Sequence, residues 1–303
     1  MRLSIIIVSW NTRDLLARCL ESVQREGGGD RGAGAIETFV VDNASSDGSA
    51  EMVAGRFPSV RLIANRENVG FARANNQALA QASGDAILLL NPDAILHPGA
   101  LAALLDFLAS HPQAAAVGPR LLNADGSLQP SCHPMLTPER EFWRLIFLDR
   151  LFPRATYPIH RWDTVTPRRV EAIKGACLLL RRQALHQVGW LDDAYFMYTE
   201  EVDLCYRFSQ AGWELWYEPA AVVTHFGGAS ADQLPDEMVM QLYRSKVHFY
   251  RKFGGEARVQ RFKMLVRLAY WPRFFAARLA ESLGRPILPT ATYRRLLSEL
   301  SAF

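Results

Sequence analysis

The chain has 303 residues, of which 49% are hydrophobic and 21% charged, a composition typical of a folded globular protein rather than a disordered one. Its four cysteines form no CxxC pair, which argues against a zinc site and a disulfide framework and favours a reducing compartment. The N-terminus has too short an apolar run for a signal-peptide core, and no run reaches the ~18 apolar residues of a membrane-spanning helix. The sequence therefore predicts a cytoplasmic protein.

The net charge of +3 is distributed unevenly along the chain. From Arg251 to the C-terminus there are eleven basic and three acidic residues, a net charge of +8, which leaves −5 for the rest. A basic segment on a mildly acidic body indicates an anionic partner surface. We expect a membrane surface and no nucleic acid, because the acidic body would repel a nucleic acid.

The first 122 residues alternate between apolar runs and amphipathic segments. The pattern predicts strands at residues 3–10, 36–45, 60–65, 85–91 and 114–122, with helices at 12–24, 46–57, 70–82 and 98–110. Residues 27–35 are rich in glycine and predict a flexible connection. Strands that alternate with helices of this length imply an α/β fold with a mostly parallel sheet and helices on both faces.

The regular alternation ends near Gln129. Six prolines between residues 130 and 170 indicate an irregular excursion with a short helix around Glu139–Leu151. A strand within 170–182, a helix, an acidic segment and a strand pair within 214–226 are predicted to follow. We expect one domain over 1–255, divided into two halves (1–129 and 130–255), and a basic helical extension over 256–303.

The extension contains a predicted amphipathic helix at residues 273–285. Phe275, Leu279 and Leu283 recur every four residues, and Arg278, Glu281, Ser282 and Arg285 share the opposite face. Arginine-rich amphipathic helices with aromatic residues can lie in the interface of an anionic bilayer. The alternative is that this helix packs on the protein itself or on a second copy in a homodimer.

Polar residues occupy four of the predicted strand ends. They are Ser9 with Asn11, Asp42 with Asn43, Asn65, and Asn91 with Asp93. Each group is explained by turn chemistry alone, but ligands of parallel α/β sheets bind at the carboxyl ends of the strands. The chain lacks both GxGxxG and GxxxxGK[ST] after its first strand, which argues against a dehydrogenase and a P-loop ATPase. A nucleotide held by side chains and a metal is the remaining interpretation.

Seven motifs then appear in order: VSWN, VDNASSDGS, NVGFARANNQAL, LLLNPDA, KGACLLLRR, FMYTEEVDLCYR and VTHFGGAS. Over residues 3–255 the chain resembles the family-2 glycosyltransferases of the GT-A fold, in the branch with many rhamnosyltransferases of bacterial polysaccharide assembly. The resemblance implies inverting transfer from a nucleotide-sugar donor, with dTDP-rhamnose as the expected donor. It also implies that residues 1–129 form the nucleotide-sugar half of the domain and residues 130–255 the acceptor half. The implied acceptor is a hydroxyl of a glycan or a polyprenyl-linked glycan, and the implied location is the inner face of the cell membrane.

The resemblance also implies a divalent cation, Mn²⁺ or Mg²⁺, on the donor diphosphate. The NPD sequence stands where the family carries an Asp-x-Asp metal motif, so Asp93 and His225 are the implied ligands. Asn91 cannot ionise and departs from that motif, and it contacts the ribose or only shapes the turn. Hard cations prefer oxygen ligands, while a histidine ligand favours Mn²⁺.

By resemblance, Asp42 accepts hydrogen bonds from the nucleobase and Ser9 lines the same base. Asn11, Asn65 and Gly70 complete the expected nucleotide-sugar site. Arg73 is either a ligand of the base or diphosphate, or a solvated helix arginine.

The expected general base is Glu201, where the family usually has aspartate. Glu200, Gly175 and Trp190 are expected around the acceptor or sugar. Asp203 lies four residues before Arg207, a spacing that predicts a local ion pair.

Two other functions stay open at this point. A sugar nucleotidyltransferase would carry a loop rich in glycine and arginine after the first strand, and VSWNTRDLL has none. A non-catalytic nucleotide-sugar sensor would bind the donor without turnover. Asn91 and Glu201 stand where the family usually has aspartates, so this hypothesis stays open. A donor-hydrolysis assay separates these functions.

Overall fold

The computed structural model describes residues 1–27, 36–152, 156–228, 233–283 and 290–303. Residues 28–35 of the predicted glycine-rich connection lie outside them, as do Ala229 and Ser230 of the last motif and Arg285 of the predicted amphipathic helix. The strands are β1 (Leu3–Ser9), β2 (Ile36–Asp42), β3 (Arg61–Ala64), β4 (Ala86–Leu90), β5 (Ala94–Leu96), β6 (Ala114–Leu122), β7 (Leu128–Gln129), β8 (Cys132–His133), β9 (Arg168–Arg169), β10 (Ala172–Ile173), β11 (Cys177–Arg181) and β12 (Glu214–His225). The helices are α1 (Arg13–Gly27), α2 (Ser49–Arg56), α3 (Phe71–Leu79), α4 (Ala100–Ser110), α5 (Pro138–Leu145), α6 (Arg182–Val188), α7 (Glu200–Gln210), α8 (Pro235–Ser282) and α9 (Thr290–Glu299).

The central sheet has the strand order β3-β2-β1-β4-β11-β6-β12-β5. Strands β3, β2, β1 and β4 are mutually parallel, as are β6 and β12. All seven residues of β1 are buried, and because successive side chains point to opposite faces, both faces of the sheet are covered at this strand. The prediction of an α/β fold with a mostly parallel sheet is confirmed.

Three strands differ from the sequence prediction. The segment 170–182 forms two strands, and the second of them, β11, runs antiparallel between β4 and β6. The predicted strand pair at 214–226 is wrong, because β12 is one strand of 12 residues. Its register shifts between Glu218 and Val222, where Pro219 cannot donate a ladder hydrogen bond.

The chain divides into two compact units that differ from the predicted boundary at residue 255. The first comprises Met1–Met135 and Pro158–Gln233, and the second Leu136–Tyr157 and Leu234–Phe303. Gly255 (φ 67°) is a kink inside α8. The ring of Phe262 beyond the kink lies 4.7 Å from that of Tyr250 before it, so the two halves of α8 share one core.

The second unit is held together by α5 against α8. Thr137 caps α5 by accepting a hydrogen bond from the backbone N–H of Arg140, and Glu141 on this helix forms a buried ion pair with Lys246 on α8. Within the described residues, no helix is long and apolar enough to cross a bilayer.

Candidate active site

A cavity of about 280 Å³ lies in the first unit at the carboxyl ends of the strands. Trp10 reaches it from β1, Asn43 from β2, Asp93 from β4 and His225 from β12. The predicted strand-end residues therefore meet at one edge of the sheet, as a parallel arrangement requires. Seven of the expected site residues line this cavity: Gly70, Asn91, Asp93, Gly175, Glu200, Glu201 and His225.

A tight turn places Asp93 opposite His225. The turn after β4 is closed by a hydrogen bond from the N–H of Ala94 to the carbonyl of Asn91. The chain then pairs with β12, where Ala94 is opposite His225. Oδ1 of Asp93 lies 3.3 Å from Nε2 of His225, and both side chains are buried.

Gln129 on β7 determines how the His225 ring is protonated. Its Nε2 donates to Asn123 and to the carbonyl of His225, so its Oε1 faces the ring. That oxygen accepts from Nζ of Lys174 at 3.1 Å and lies 2.7 Å from Nδ1 of His225. Nδ1 therefore carries a hydrogen, which leaves Nε2, the nitrogen that faces Asp93, as the one that presents a lone pair in the neutral ring.

This arrangement fits a divalent cation. Oδ1 of Asp93 and Nε2 of His225 lie 3.3 Å apart, a separation at which both atoms can bind one ion, and the amide Nδ2 of Asn91 lies 3.3 Å from the same Nε2. The described residues contain no cluster of three or more His, Cys, Asp or Glu side chains with metal-site geometry. Asp93 and His225 would thus be the two protein ligands of such an ion.

Two adjacent glutamates begin α7 beside the same cavity. Tyr198 and Thr199 precede them with left-handed backbone (φ 68° and 73°), a strained conformation that is characteristic of functional sites. One oxygen of Glu200 and one of Glu201 are buried without a hydrogen-bond partner among the described residues. The cavity therefore contains two carboxyl groups, each with one oxygen that has no hydrogen-bond partner among the described residues.

The two glutamates differ in their electrostatic surroundings. Burial raises the pKa of Glu200 well above its usual range, and the charge of Glu201 raises it further. Burial also raises the pKa of Glu201, but backbone hydrogen bonds, His133 and Lys174 oppose that shift. Glu201 is therefore the carboxyl that ionises first.

Asp203 on the next turn has a structural partner. Its Oδ1 accepts from Nε of Arg207 at 2.6 Å, and its Oδ2 accepts from the hydroxyl of Tyr195 at 3.2 Å. Arg207 also donates to the carbonyls of Val188, Gly189 and Trp190. The predicted pair of Asp203 with Arg207 is confirmed, and it ties α7 to the segment that follows α6.

Ser9, Asn11 and Asp42 meet beside the cavity without lining it. The amide of Asn43 donates to the carbonyl of Ser9, and Oδ2 of Asp42 accepts from the amide of Ser45. Asn11 has left-handed backbone (φ 51°) and accepts from the amide of Ser46. Oδ1 of Asp42 is buried and has no partner among the described residues, so this carboxylate retains one unused acceptor.

Asn65 supports the cavity indirectly. Its Nδ2 donates to Oδ1 of Asn43, and Nδ2 of Asn43 donates in turn to Oδ1 of Asn68. Gly70 follows, with φ 85° and the carbonyl of Phe196 only 2.5 Å from where a Cβ would stand. Only glycine permits this approach, which brings the segment before α7 against the start of α3.

Similarity to known proteins agrees with this geometry. The sequence model described as "Glycosyl transferase family 2" matches residues 4–184. The chain belongs to glycosyl transferase family 2.

Relatives of this family-2 glycosyltransferase include an N-acetylglucosaminyl-diphospho-decaprenol L-rhamnosyltransferase of Mycobacterium tuberculosis. It is 35% identical over 228 residues, which cover 71% of this chain and 74% of the relative. A low-salt glycan biosynthesis hexosyltransferase of Haloferax volcanii, Agl10, is 25% identical over 209 residues, which cover 68% of this chain and 61% of the relative. The resemblance to rhamnosyltransferase-like members of the family is confirmed.

Solved structures share the fold of this glycosyltransferase at low sequence identity. The mannosyltransferase PcManGT of Pyrobaculum calidifontis, in complex with GDP-Man and Mn²⁺, has a TM-score of 0.54 and 18% identity and covers 99% of this chain and 84% of its own. GalNAc-T7, with UDP, GalNAc and Mn²⁺, has a TM-score of 0.57 and 18% identity and covers 74% of this chain and 44% of its own. The GT-A fold expected for the enzyme is thereby confirmed.

Two expected site residues lie away from the cavity of this glycosyltransferase. Arg73 is solvent-exposed on α3 and does not line it, the position of a solvated helix arginine. Trp190 is 39% exposed and also does not line it. Its carbonyl accepts from Arg207, so the residue contributes to the frame of α7.

Lys174 and Tyr198 line the cavity but were not expected there. Lys174 is half-buried; burial lowers its pKa, and the charges of Glu201 and Asp93 oppose that shift. The KGA sequence before β11 could have indicated Lys174 as a site residue, because a lysine next to a buried apolar strand needs a hydrogen-bond acceptor for its ammonium group. No sequence signal marked Gln129, because its partner His225 is 96 residues away.

Proposed function

We propose that this enzyme transfers a hexose from a nucleotide-sugar donor, with dTDP-L-rhamnose as the favoured donor, to a hydroxyl of a lipid-linked glycan with inversion. The observation that carries the proposal is one cavity that contains Asp93 and His225, whose side chains lie 3.3 Å apart, together with an unpartnered carboxyl oxygen of Glu201. The choice of sugar and acceptor is supported by the relative from M. tuberculosis, whose name specifies L-rhamnose and a diphospho-decaprenol-linked sugar.

The donor would bind along the carboxyl edge of β1, β2 and β4. The unused Oδ1 of Asp42 accepts the imide N–H of a thymine or uracil base, which supports a pyrimidine nucleotide. Ser9 and Asn11 keep the loops around Asp42 in place through their backbone contacts. Asp93 and His225 hold Mn²⁺ or Mg²⁺, which when bound neutralises the negative charge that the nucleoside diphosphate gains as it leaves.

Glu201 would take the proton of the acceptor hydroxyl. The hydroxyl oxygen forms a bond to the anomeric carbon while the bond from that carbon to the diphosphate oxygen breaks, and the leaving diphosphate keeps the electron pair. Attack on the face opposite the leaving group inverts the anomeric centre. Burial raises the pKa of both glutamates, but His133 and Lys174 oppose the shift at Glu201, whereas the charge of Glu201 adds to the shift at Glu200, so Glu201 suits the role better.

Asp93→Asn tests the proposal, because it keeps the shape of the side chain and removes its charge. The purified protein is incubated with dTDP-rhamnose, Mn²⁺ and a lipid-linked N-acetylglucosamine acceptor, and both sugar transfer and donor hydrolysis are measured. We expect Asp93→Asn to lose transfer and the metal-dependent part of its affinity for dTDP. The matched control is Asp106→Asn, an exposed position on α4 that should retain full activity.

Two outcomes would contradict the proposal. Full activity of Asp93→Asn in excess EDTA would exclude the role of this carboxylate as a metal ligand. Tight binding of nucleotide-sugars with neither transfer nor hydrolysis, tested across a panel of donors, would favour the sensor function instead.

A further inference from the structure

The second half of α8 carries a row of apolar side chains on its solvent-facing side. The row comprises Met264, Leu268, Trp271, Phe275 and Leu279, at intervals of three or four residues that place them on one face of a helix. Their exposed fractions are 56, 58, 44, 63 and 62%. Leu283 extends the row just beyond the helix with 68% exposure. We refer to these six residues as the exposed stripe.

The exposed stripe is separate from the core of the second unit. Phe262, Val266 and Ala277 are at most 1% exposed and lie on the other side of the same helix. The helix is therefore apolar on two sides, and only one of them is used for packing in the described chain. The rings of Trp271 and Phe275 stack on each other with centroids 5.5 Å apart, so the middle of the stripe presents an aromatic pair between aliphatic side chains.

Basic residues accompany the stripe. Residues 258–283 include six basic side chains and one acidic one. Arg278 is exposed and Arg267 is partly exposed, and helical geometry places both along one border of the stripe. An apolar row with aromatic rings beside arginines is complementary to a bilayer whose surface is negatively charged, since the rings enter the interface and the guanidinium groups meet the phosphates.

The charge of this face disfavours a second copy as its occupant. A two-fold contact through the stripe would bring the same surface of both copies together, and with it Arg267 and Arg278 of each. Like charges facing each other across an interface oppose association. An anionic lipid surface has the opposite sign and no such conflict.

We propose that the exposed stripe is a membrane-docking surface that lies in the plane of an anionic bilayer interface. The helix would lie on the membrane without crossing it, because its opposite side packs on its own unit. The docking residues extend beyond the predicted helix of 273–285 to Met264, Leu268 and Trp271. This inference stands apart from the proposed transfer reaction, because docking needs neither donor nor metal.

Co-sedimentation with vesicles tests the surface in the full-length protein. The vesicles contain phosphatidylcholine alone or an equal mixture with phosphatidylglycerol. We expect binding to the mixed vesicles, weaker binding in raised salt, and little binding to phosphatidylcholine alone. If Trp271 enters the bilayer interface, the tryptophan emission should shift to shorter wavelength when mixed vesicles are added. That blue shift should be smaller in Trp271→Phe than in the wild-type protein.

The double variant Leu268→Glu/Phe275→Glu places two negative charges in the stripe at exposed positions, so the fold should be retained. We expect its vesicle affinity to fall at least tenfold while its Tm stays close to that of the unchanged protein. The matched control is Val165→Glu, which alters an apolar residue of 77% exposure in the first unit and should bind vesicles normally.

Three results would overturn the proposal. The first is a wild-type protein that does not co-sediment with mixed vesicles at low salt. The second is a double variant that binds them as well as the control does. The third is a dimer, detected by light scattering, in a protein that does not bind vesicles. If Leu268→Glu/Phe275→Glu dissociated that dimer, the stripe would contact a second copy and not a membrane. Vesicle binding without sugar transfer would support the docking surface and contradict only the proposed reaction.

Discussion

Oε1 of Gln129 lies 2.7 Å from Nδ1 of His225, and this contact determines which ring nitrogen faces Asp93. Because Nζ of Lys174 also donates to that oxygen, Oε1 acts as an acceptor toward the ring, and the hydrogen of the imidazole stays on Nδ1. In the neutral ring the lone pair is then on Nε2, which lies 3.3 Å from Oδ1 of Asp93 and 3.3 Å from Nδ2 of Asn91. A second residue that fixes the tautomer of a metal-binding histidine strengthens the site without touching the metal.

Gln129→Leu should weaken Mn²⁺ binding by roughly 10- to 100-fold, the usual effect of removing such a partner. The leucine has a similar size but cannot accept from Nδ1, so the ring loses its fixed orientation. Calorimetric titration of Mn²⁺ in the presence of dTDP measures the effect independently of turnover.

Gln129→Glu is the matched control for this prediction. It keeps an acceptor oxygen for His225 but loses the amide that donates to Asn123 and to the carbonyl of His225, so its Mn²⁺ affinity should fall less than that of Gln129→Leu. Equal affinity of Gln129→Leu and the unchanged protein would show that Gln129 does not position the histidine.

Glu201→Gln should lower kcat by roughly 10²–10⁴, the usual contribution of a general base. Its affinity for the donor should change little, because the substitution keeps the size of the side chain. Steady-state transfer kinetics and donor titration separate the two effects.

Glu200→Gln is the comparison variant, since its carboxyl already prefers the neutral form. We expect it to keep most of the turnover. If Glu200→Gln lost turnover and Glu201→Gln did not, the roles of the two glutamates would be exchanged. An inactive Asp203→Asn that remained folded beside an active Glu201→Gln would assign the base to Asp203.

The stability of the protein should also depend on Glu200. Burial raises its pKa in the folded state above the unfolded value, so between the two values the folded protein binds more protons. The free energy of unfolding then falls as pH rises through this window. Glu200→Gln has no charge to bury and should raise Tm at pH 8, where each kcal/mol corresponds to roughly 2–4 °C.

The gain in Tm should shrink as pH falls toward the unfolded pKa of a glutamate, because both proteins are then neutral at this position. Thermal unfolding of both proteins between pH 5 and pH 8 checks the trend. A Tm difference that stayed constant with pH would show that the effect comes from packing and not from ionisation.

Lys246→Met should destabilise the second unit by about 1–3 kcal/mol, the usual cost of removing one hydrogen-bond partner from a buried group, because Glu141 keeps Arg144 at 3.0 Å as its other cationic partner. Lys246 and Glu141 are 5% and 6% exposed, so water cannot replace the lost partner. Denaturant unfolding followed by tryptophan fluorescence measures the loss.

Arg56→Met provides the matched comparison in an exposed pair. Arg56 and Glu21 lie 2.8 Å apart, with exposures of 55% and 43%, and such pairs contribute at most about 1 kcal/mol. Adding Glu141→Leu to Lys246→Met should recover part of the stability, because it removes the buried charge. A loss from Lys246→Met no larger than that from Arg56→Met would contradict the prediction.

The sequence alone determined the features that depend on neighbours within a few residues. The apolar runs of β1 and β4 and the helical spacing in α1 and α4 predicted the α/β fold, because their periodicity follows from local backbone geometry. The pair of Asp203 with Arg207 was predictable for the same reason. The order of the motifs was sufficient to indicate the family and the strand-end residues Asp93 and His225.

Only the tertiary structure decided which distant residues meet. The contact of Gln129 with His225, the antiparallel course of β11 and the pair of Glu141 with Lys246 join positions that are far apart in the chain, and no short-range pattern specifies them. The exposed stripe is a further case, since Phe262 and Leu268 are equally apolar in sequence, yet one is buried and the other faces solvent. Side-chain chemistry limits what each residue can do, whereas strand register and helix packing determine which partner it reaches.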